Sequence, residues 1–318
     1  MTHALEVQDV SKRYAGHVAV DRLSLSVPRG SIYGILGPNG AGKSTTLRMV
    51  MNIIARDGGS IAVLGADPAV DRAVLRRVGF LPEERGLYKK MTAIDVVVFF
   101  GELRGMRESV ARERGTRWLD KMGLGQWQRA KVETLSKGMQ QKVQFITTVI
   151  HDPELLILDE PASGLDPVNQ EVLRDTILGV RDEGRTVVFS THNMDQAEQL
   201  CDFVCIIAQG RKVLDGSLAE IRRGHAGHKY RVRFESNTPA IVALMTGDPV
   251  LRGAARSGDA WDIELPSRDD VRRALGVLAA ADVPIARFEH VTPSLHQLFV
   301  QRVGHAEVAA RQPEVTRA

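Results

Sequence analysis

The stretch GPNGAGKST, residues 37–45, decides how the rest of the chain is interpreted. It matches the pattern G-x-x-x-x-G-K-[ST] and lies between the apolar run SIYGILG and a segment with helical spacing. In such a loop, backbone N–H groups and the start of the next helix surround the phosphates of a nucleotide. Lys43 is placed to reach the β- and γ-phosphates, and the Ser44 hydroxyl to bind Mg²⁺. We therefore expect these residues to form a nucleotide site: Gly37, Asn39, Gly40, Gly42, Lys43, Ser44 and Thr45.

A second apolar run, LLILDEP at residues 155–161, ends in two adjacent acids. A strand can hold Asp159 rigidly, so we expect its carboxylate to take part in binding Mg²⁺. Glu160, one residue further on, is placed to polarise an attacking water. Because a protein that only binds nucleotide has no need for a base beside the γ-phosphate, this pair predicts hydrolysis.

Two single residues are further candidates for the same site. His192 ends the strand RTVVFSTH, at the edge where the ligands of α/β sheets collect, and we expect it to contact the γ-phosphate. Tyr14 is an aromatic residue behind which two strands are predicted, and its ring could stack on a base. Packing against the core or on the surface explains the spacing of Tyr14 nearly as well.

Alternating strand and helix patterns predict an α/β fold with a parallel sheet covered on both faces. Residues 1–224 form the expected first domain, with a helical subdomain at about 83–150. The pattern restarts after it, and the order β-α-β-β-α-β predicts a small α+β domain of ferredoxin-like type over 228–303. Residues 304–318 are predicted to be a flexible tail.

Composition and charge exclude several classes of protein. The 318 residues are 43% hydrophobic and 25% charged, with a net charge of +3 and no basic arm, which argues against nucleic-acid binding. The start lacks the apolar region of a signal peptide, and no apolar run approaches the roughly 18 residues of a membrane span. Cys201 and Cys205 are expected to be small buried residues rather than zinc ligands. Any work in a membrane therefore falls to a partner.

The stretch LSKGMQQ, residues 135–141, predicts a second helix start that could bind an anion. Ser136 is a favourable N-cap, and Gly138 permits a close approach of backbone. Since the chain has one phosphate loop with one lysine, two chains placed head to tail could share these parts. Judged alone, a helix cap without a ligand explains the stretch better.

The motifs GPNGAGKS, LSKGMQ, ILDEP, SGLD and STH follow one another as in ATP-binding cassette (ABC) proteins, which residues 1–224 resemble. The resemblance implies a P-loop NTPase fold, ATP and Mg²⁺ as cofactors, and a homodimer around two ATP. It implies that Ser136 and Gly138 contact the γ-phosphate bound to the opposite subunit. It also implies that Asp166 belongs to a loop crossing the dimer interface, and that Tyr14 stacks on adenine.

The sequence departs from the usual family pattern in two motifs, the signature and the segment that normally contains a glutamine. Lys137 and Met139 stand in the signature where glycine and glutamine are usual, and Glu83 stands where glutamine is usual. A carboxylate at Glu83 can still meet Mg²⁺ or its waters, but it cannot donate a hydrogen bond. LPEERGLY together with LSKGMQQK resembles the ABC-2-type exporter ATPases.

This branch implies an ATPase subunit on the cytoplasmic side of the cell membrane that drives a separate permease in export. The segment 83–91 would touch the permease through Leu87, Tyr88 and Lys89. The alternative is a soluble ABC ATPase that acts on nucleic acid or ribosomes. Such proteins usually fuse two cassettes or carry long coiled coils, and the sequence has neither.

Overall fold

A computed structural model describes residues 3–84, 86–225, 227–251, 253–267 and 269–310. The chain divides into two compact units, of which one comprises residues up to Leu218 together with those from Phe299 onward, and the other Ala219–Leu298. Within the described residues, no helix is long and apolar enough to cross a membrane.

The first unit begins with a three-stranded antiparallel sheet in the order β2-β1-β4, formed by β1 (His3–Tyr14), β2 (His17–Pro28) and β4 (Gly58–Val63). Apolar residues of β1 and β2 alternate with polar ones, so one face is buried and the other meets solvent. Tyr14 pairs with His17 where the two strands turn.

The main sheet of this unit has six strands in the order β5-β6-β7-β3-β8-β9. Its strands are β3 (Ile32–Leu36), β5 (Val78–Leu81), β6 (Leu155–Asp159), β7 (Thr186–Thr191), β8 (Phe203–Ala208) and β9 (Arg211–Ser217). All are parallel except β9, which forms an antiparallel hairpin with β8. Because β7 lies between β6 and β3, the loops after these three strands meet at one edge of the sheet.

Helices α1 (Lys43–Val50), α5 (Pro167–Asp182) and α6 (Met194–Leu200) follow the strands of this sheet. The predicted helical insert contains α2 (Ala93–Leu103), α3 (Glu108–Lys121) and α4 (Lys137–Val149). Helix α1 ends at Val50, and Asn52, two residues later, takes a left-handed φ of 49° that does not continue the helix. Two further elements were not predicted from the sequence, the 3₁₀ helix Arg72–Arg77 and helix α7 (Leu218–His225).

The second unit contains a four-stranded antiparallel sheet in the order β11-β12-β10-β13. Its elements are β10 (Lys229–Phe234), α8 (Pro239–Gly247), β11 (Ala255–Ser257), β12 (Ala260–Glu264), α9 (Asp270–Ala280) and β13 (Ile285–His290). This order confirms the predicted ferredoxin-like fold. Helix α10 (Leu295–Ala310) continues through residues 304–310, where we predicted a flexible tail, and residues 311–318 of that prediction lie outside the described residues.

Candidate active site

The phosphate loop after β3 is fixed by glycines whose backbone leaves no space for a side chain. Gly37 has φ of 151°, and a Cβ there would lie 2.1 Å from the carbonyl oxygen of Ile207. Gly42 has φ of 103°, and its Cβ would lie 2.4 Å from the carbonyl oxygen of Ala19. Among the described residues no side chain caps the start of α1, which leaves its first N–H groups for an anion.

Lys43 lies under this loop and is only 5% exposed. Its Nζ donates hydrogen bonds to the carbonyl oxygens of Gly37 at 2.8 Å and Pro38 at 3.2 Å. The same nitrogen lies 3.4 Å from Glu160 Oε1. The ammonium group is therefore already inside the loop, beside the acid that follows β6.

Asp159, at the end of β6, receives two hydroxyl hydrogen bonds on one oxygen. Ser44 donates to Asp159 Oδ1 at 3.0 Å, and Ser190 of β7 donates to the same atom at 2.5 Å. Asp159 Oδ2 is buried and has no hydrogen-bond partner among the described residues. A buried carboxylate oxygen without a donor is costly unless a cation or ordered water meets it.

These groups fit a magnesium ion. Mg²⁺ prefers oxygen ligands, keeps several waters, and is usually held by one or two carboxylates together with phosphate oxygens. Ser44 and Asp159 supply a hydroxyl and, next to it, a carboxylate oxygen without a hydrogen-bond partner among the described residues. Glu83 adds an exposed carboxylate to a cavity that Ser44 also lines.

Glu160 is buried and held in an unusual backbone conformation, with φ of 47°. Its backbone N–H donates to Ser190 Oγ at 3.0 Å, which stabilises this left-handed conformation. His192 lies after β7, and its Nδ1 is 3.1 Å from both carboxylate oxygens of Glu160. The carboxylate of Glu160 is thus contacted by both a lysine and a histidine.

A cavity of about 390 Å³ opens beside these residues. It brings together nine of the residues singled out in the sequence: Tyr14, Asn39, Gly40, Gly42, Lys43, Ser44, Thr45, Glu83 and Glu160. Tyr14 is 49% exposed at the turn between β1 and β2, so its ring is available to a ligand. Gly37, Asp159 and His192 contact members of this group directly, through the hydrogen bonds above.

The remaining three candidates lie elsewhere on the unit. Ser136 caps α4, its Oγ accepting from the N–H of Met139 at 3.2 Å, which leaves its hydroxyl proton free to donate. Asp166 caps α5 in the same way through the N–H of Asn169. Hydrogen bonds from the backbone and side chain of Asn169 hold the pKa of Asp166 below its usual value. A Cβ on Gly138 would lie 3.7 Å from Asn169 Nδ2, so the two helix starts are neighbours.

Sequence reasoning missed four residues that the structure places at or behind the site. Ser190 links Asp159 to Glu160, although its place two residues before His192 was a usable signal. His17 lines the cavity. Gln141 and Gln144 of α4 donate hydrogen bonds to backbone carbonyls beside Glu160 and Glu83. No local pattern marks these two glutamines, because their partners are distant in sequence.

Comparison with known proteins identifies the family of this chain. A family model described as ABC transporter matches residues 20–163, and one described as ATP-binding protein DrrA1-3-like, C-terminal domain, matches residues 216–303. ABC transporter ATP-binding protein YhaQ of Bacillus subtilis is 38% identical over 302 residues, which cover 94% of this chain and 98% of that protein. The daunorubicin/doxorubicin resistance ATP-binding protein DrrA of Streptomyces peucetius is 34% identical over 309 residues, covering 96% and 93%.

A solved structure of an ATP-binding subunit of an ABC transporter superposes with a TM-score of 0.65 at 30% identity, covering 70% of this chain and 93% of that one. The predicted P-loop NTPase fold is thereby confirmed, and the transporter class is favoured over a nucleic-acid or ribosomal ATPase. The chain therefore belongs to the ABC transporter ATP-binding proteins, as an ATP-binding and ATP-hydrolysing subunit that works with a membrane permease.

Proposed function

We propose that two copies of this chain pair head to tail around two ATP·Mg²⁺ and drive a permease in export. One observation supports the proposed homodimer. In the described part of the chain, Ser136 and Gly138 do not line the cavity that contains Lys43. Both lie at the N-terminal end of α4, where backbone N–H groups can bind an anion. Each chain thus offers two incomplete halves of a nucleotide site, and a second copy completes both.

The chain's own residues divide the work of hydrolysis. The loop N–H groups and Lys43 hold the phosphates, and Tyr14 stacks on the adenine. Glu160 accepts a proton from the attacking water. The His192 ring fixes this carboxylate, and it also serves as a contact for the γ-phosphate. Ser136 and Gly138 of the partner copy, with the Asp166 loop beside them, close the site from the other side.

Ser44, Asp159 and Glu83 are the residues that would hold Mg²⁺ or its waters. The ion, when bound, neutralises charge on the β- and γ-phosphates. Ser190 contributes by fixing Asp159 Oδ1. Asp159 Oδ2, which has no hydrogen-bond partner among the described residues, would then be left to bind the ion.

The membrane partner and the export direction rest on the family. DrrA is named for resistance to daunorubicin and doxorubicin. Outward transport of a drug through a permease would explain how such an ATPase confers resistance. We place this chain on the cytoplasmic face of the membrane, with no nucleic-acid partner. The contact with the permease involves Leu87, Tyr88 and Lys89, of which Tyr88 is exposed and packs on Phe99.

Mixing two variants tests the shared sites. Lys43→Ala removes the phosphate ligand, and Ser136→Asp keeps an equally good N-cap but places a negative charge against the partner's phosphate. Each variant alone damages both sites of a homodimer. In a mixed dimer the two defects fall in the same site and the second site is intact. An equal mixture should recover about a quarter of wild-type hydrolysis, because half of the dimers are mixed and one site in each is complete.

Glu160→Gln provides the complementary measurement. With the proton acceptor removed, ATP should hold the dimer together, and mass photometry should report twice the subunit mass only when ATP is present. If the mixture recovers no hydrolysis and Glu160→Gln remains a monomer with saturating ATP, the head-to-tail dimer is wrong.

A further inference from the structure

Gln144 joins helix α4 to the segment that contains Glu83. Its side chain is 4% exposed, and its Nε2 donates to the carbonyl oxygen of Pro82 at 3.3 Å and to that of Glu84 at 3.1 Å. These two carbonyls belong to the residues on either side of Glu83. One amide group therefore holds the backbone of this acid from both sides.

The other end of the same helix is the part proposed to close the partner's site. Ser136 caps α4, and Gln144 follows about 12 Å further along, at a rise of 1.5 Å per residue. A helix of this length moves as a rigid body. As long as the two hydrogen bonds from Gln144 Nε2 are kept, a displacement of the Glu83 segment is therefore passed to Ser136.

A second glutamine ties α4 to the other acid of the cavity. Gln141, one helical turn before Gln144, is also buried, and its Nε2 donates to the carbonyl oxygen of Pro161 at 3.1 Å. Pro161 directly follows Glu160. The inner face of α4 thus holds the backbone next to both carboxylates that line the cavity, Glu83 and Glu160.

Only the N–H groups of the Gln144 side-chain amide form hydrogen bonds among the described residues, which indicates that Gln144 acts here as a hydrogen-bond donor. Since both neighbouring atoms are carbonyl oxygens, Nε2 must face them, and this leaves Oε1 buried. Among the described residues Oε1 has no hydrogen-bond partner, which costs free energy. An apolar side chain would avoid that cost but would release the Glu83 segment.

We propose that Gln144 is a positioning residue that couples the two nucleotide sites of the dimer. It transmits the position of Glu83, in the site of its own chain, to the Ser136 end of α4 in the site of the partner. The inference rests on the proposed homodimer and adds to it the physical connection between the sites.

A double-mutant cycle on dimerisation tests the coupling. In the full-length Glu160→Gln chain, the dissociation constant of the ATP·Mg²⁺ dimer is measured by analytical ultracentrifugation. Glu83→Ala should weaken this dimer about tenfold when Gln144 is present, and less than about twofold in a Gln144→Met background. Gln144→Glu, which keeps the shape but lacks the amide donors, should give the same small effect if the methionine variant folds poorly.

Thr147→Val is the matched control. Thr147 is buried one turn later on α4, and its hydroxyl donates to the carbonyl oxygen of Gln144 at 2.7 Å, within the helix. In that background, Glu83→Ala should retain its tenfold effect. If Glu83→Ala raises the dissociation constant by the same factor with and without Gln144, then Gln144 does not couple the sites. The proposed dimer itself would be unaffected by that result. If the parent chain forms no ATP-dependent dimer, the proposed function fails, and the coupling fails with it.

Discussion

Ser190 Oγ donates a 2.5 Å hydrogen bond to Asp159 and accepts one of 3.0 Å from the backbone N–H of Glu160. One fully buried hydroxyl on β7 thus holds two consecutive acids in different ways, the last residue of β6 and the residue that follows it. It fixes the carboxylate of Asp159 and the backbone of Glu160, whose left-handed conformation directs the side chain toward Lys43.

Ser190→Ala should lower ATP hydrolysis by about 10- to 100-fold, because it removes a donor from a buried carboxylate and leaves the buried N–H of Glu160 unpaired, at about 1–3 kcal/mol. The Mg²⁺ concentration for half-maximal activity should rise as well, which a general loss of stability would not cause. Ser190→Thr keeps the hydroxyl and should restore both values. If the Mg²⁺ requirement of Ser190→Ala is unchanged, the prediction is wrong and the serine contributes only to packing.

Much of the first unit was predictable because its chemistry is local in sequence. A continuous apolar run indicates a buried parallel strand, and a strand followed by GPNGAGKST fixes both the loop and the edge of the sheet at which it lies. Asp159 and His192 end two further strands of this kind, so their convergence at the same edge follows from parallel pairing.

The remaining features depend on pairs that sequence patterns do not encode. Gln144 meets the carbonyl of Pro82 across 62 residues, and Ser190 meets Asp159 across 31. A single polar residue in an apolar element shows only that some partner exists, and the fold decides which one. Helix α7 was also missed; its first residue belongs to the first unit, and the other seven of its eight residues belong to the second.

Tyr14→Ala should weaken ATP binding about tenfold, because stacking of a base on an aromatic ring contributes about 1–3 kcal/mol. Isothermal titration with ATP measures the loss. Inorganic tripolyphosphate serves as the control ligand, since it uses the phosphate loop but has no base. Tyr14→Trp should bind ATP as the wild type does. An equal loss of tripolyphosphate affinity in Tyr14→Ala would mean that the residue supports the hairpin between β1 and β2 instead.

His151 should make the protein less stable in mild acid. Burial, and then the charge of Arg104, lower the pKa of its ring from 6.5 to about 4. As the pH falls below 6.5, the unfolded chain binds a proton at this residue before the folded chain does, so the free energy of unfolding decreases until about pH 4.

Denaturant unfolding of the wild type and of His151→Gln, measured from pH 7.5 to pH 4, isolates this contribution. The stability of the wild type relative to the variant should fall below pH 6.5, because the glutamine does not titrate. Parallel curves for the two proteins would show that His151 has the same pKa in both states.

Tyr88→Asp should uncouple transport from hydrolysis. Tyr88 is 53% exposed, and its ring packs edge-on against Phe99 at 5.2 Å, so it presents an aromatic surface beside α2. A carboxylate there cannot pack against an apolar partner, and transport by the assembled complex should fall about tenfold or more. Basal hydrolysis by the isolated subunit should stay within about twofold, since Tyr88 is not among the residues lining the nucleotide cavity. Tyr88→Phe keeps the ring and should transport normally. A parallel loss of transport and basal hydrolysis in Tyr88→Asp would exclude Tyr88 as a coupling residue.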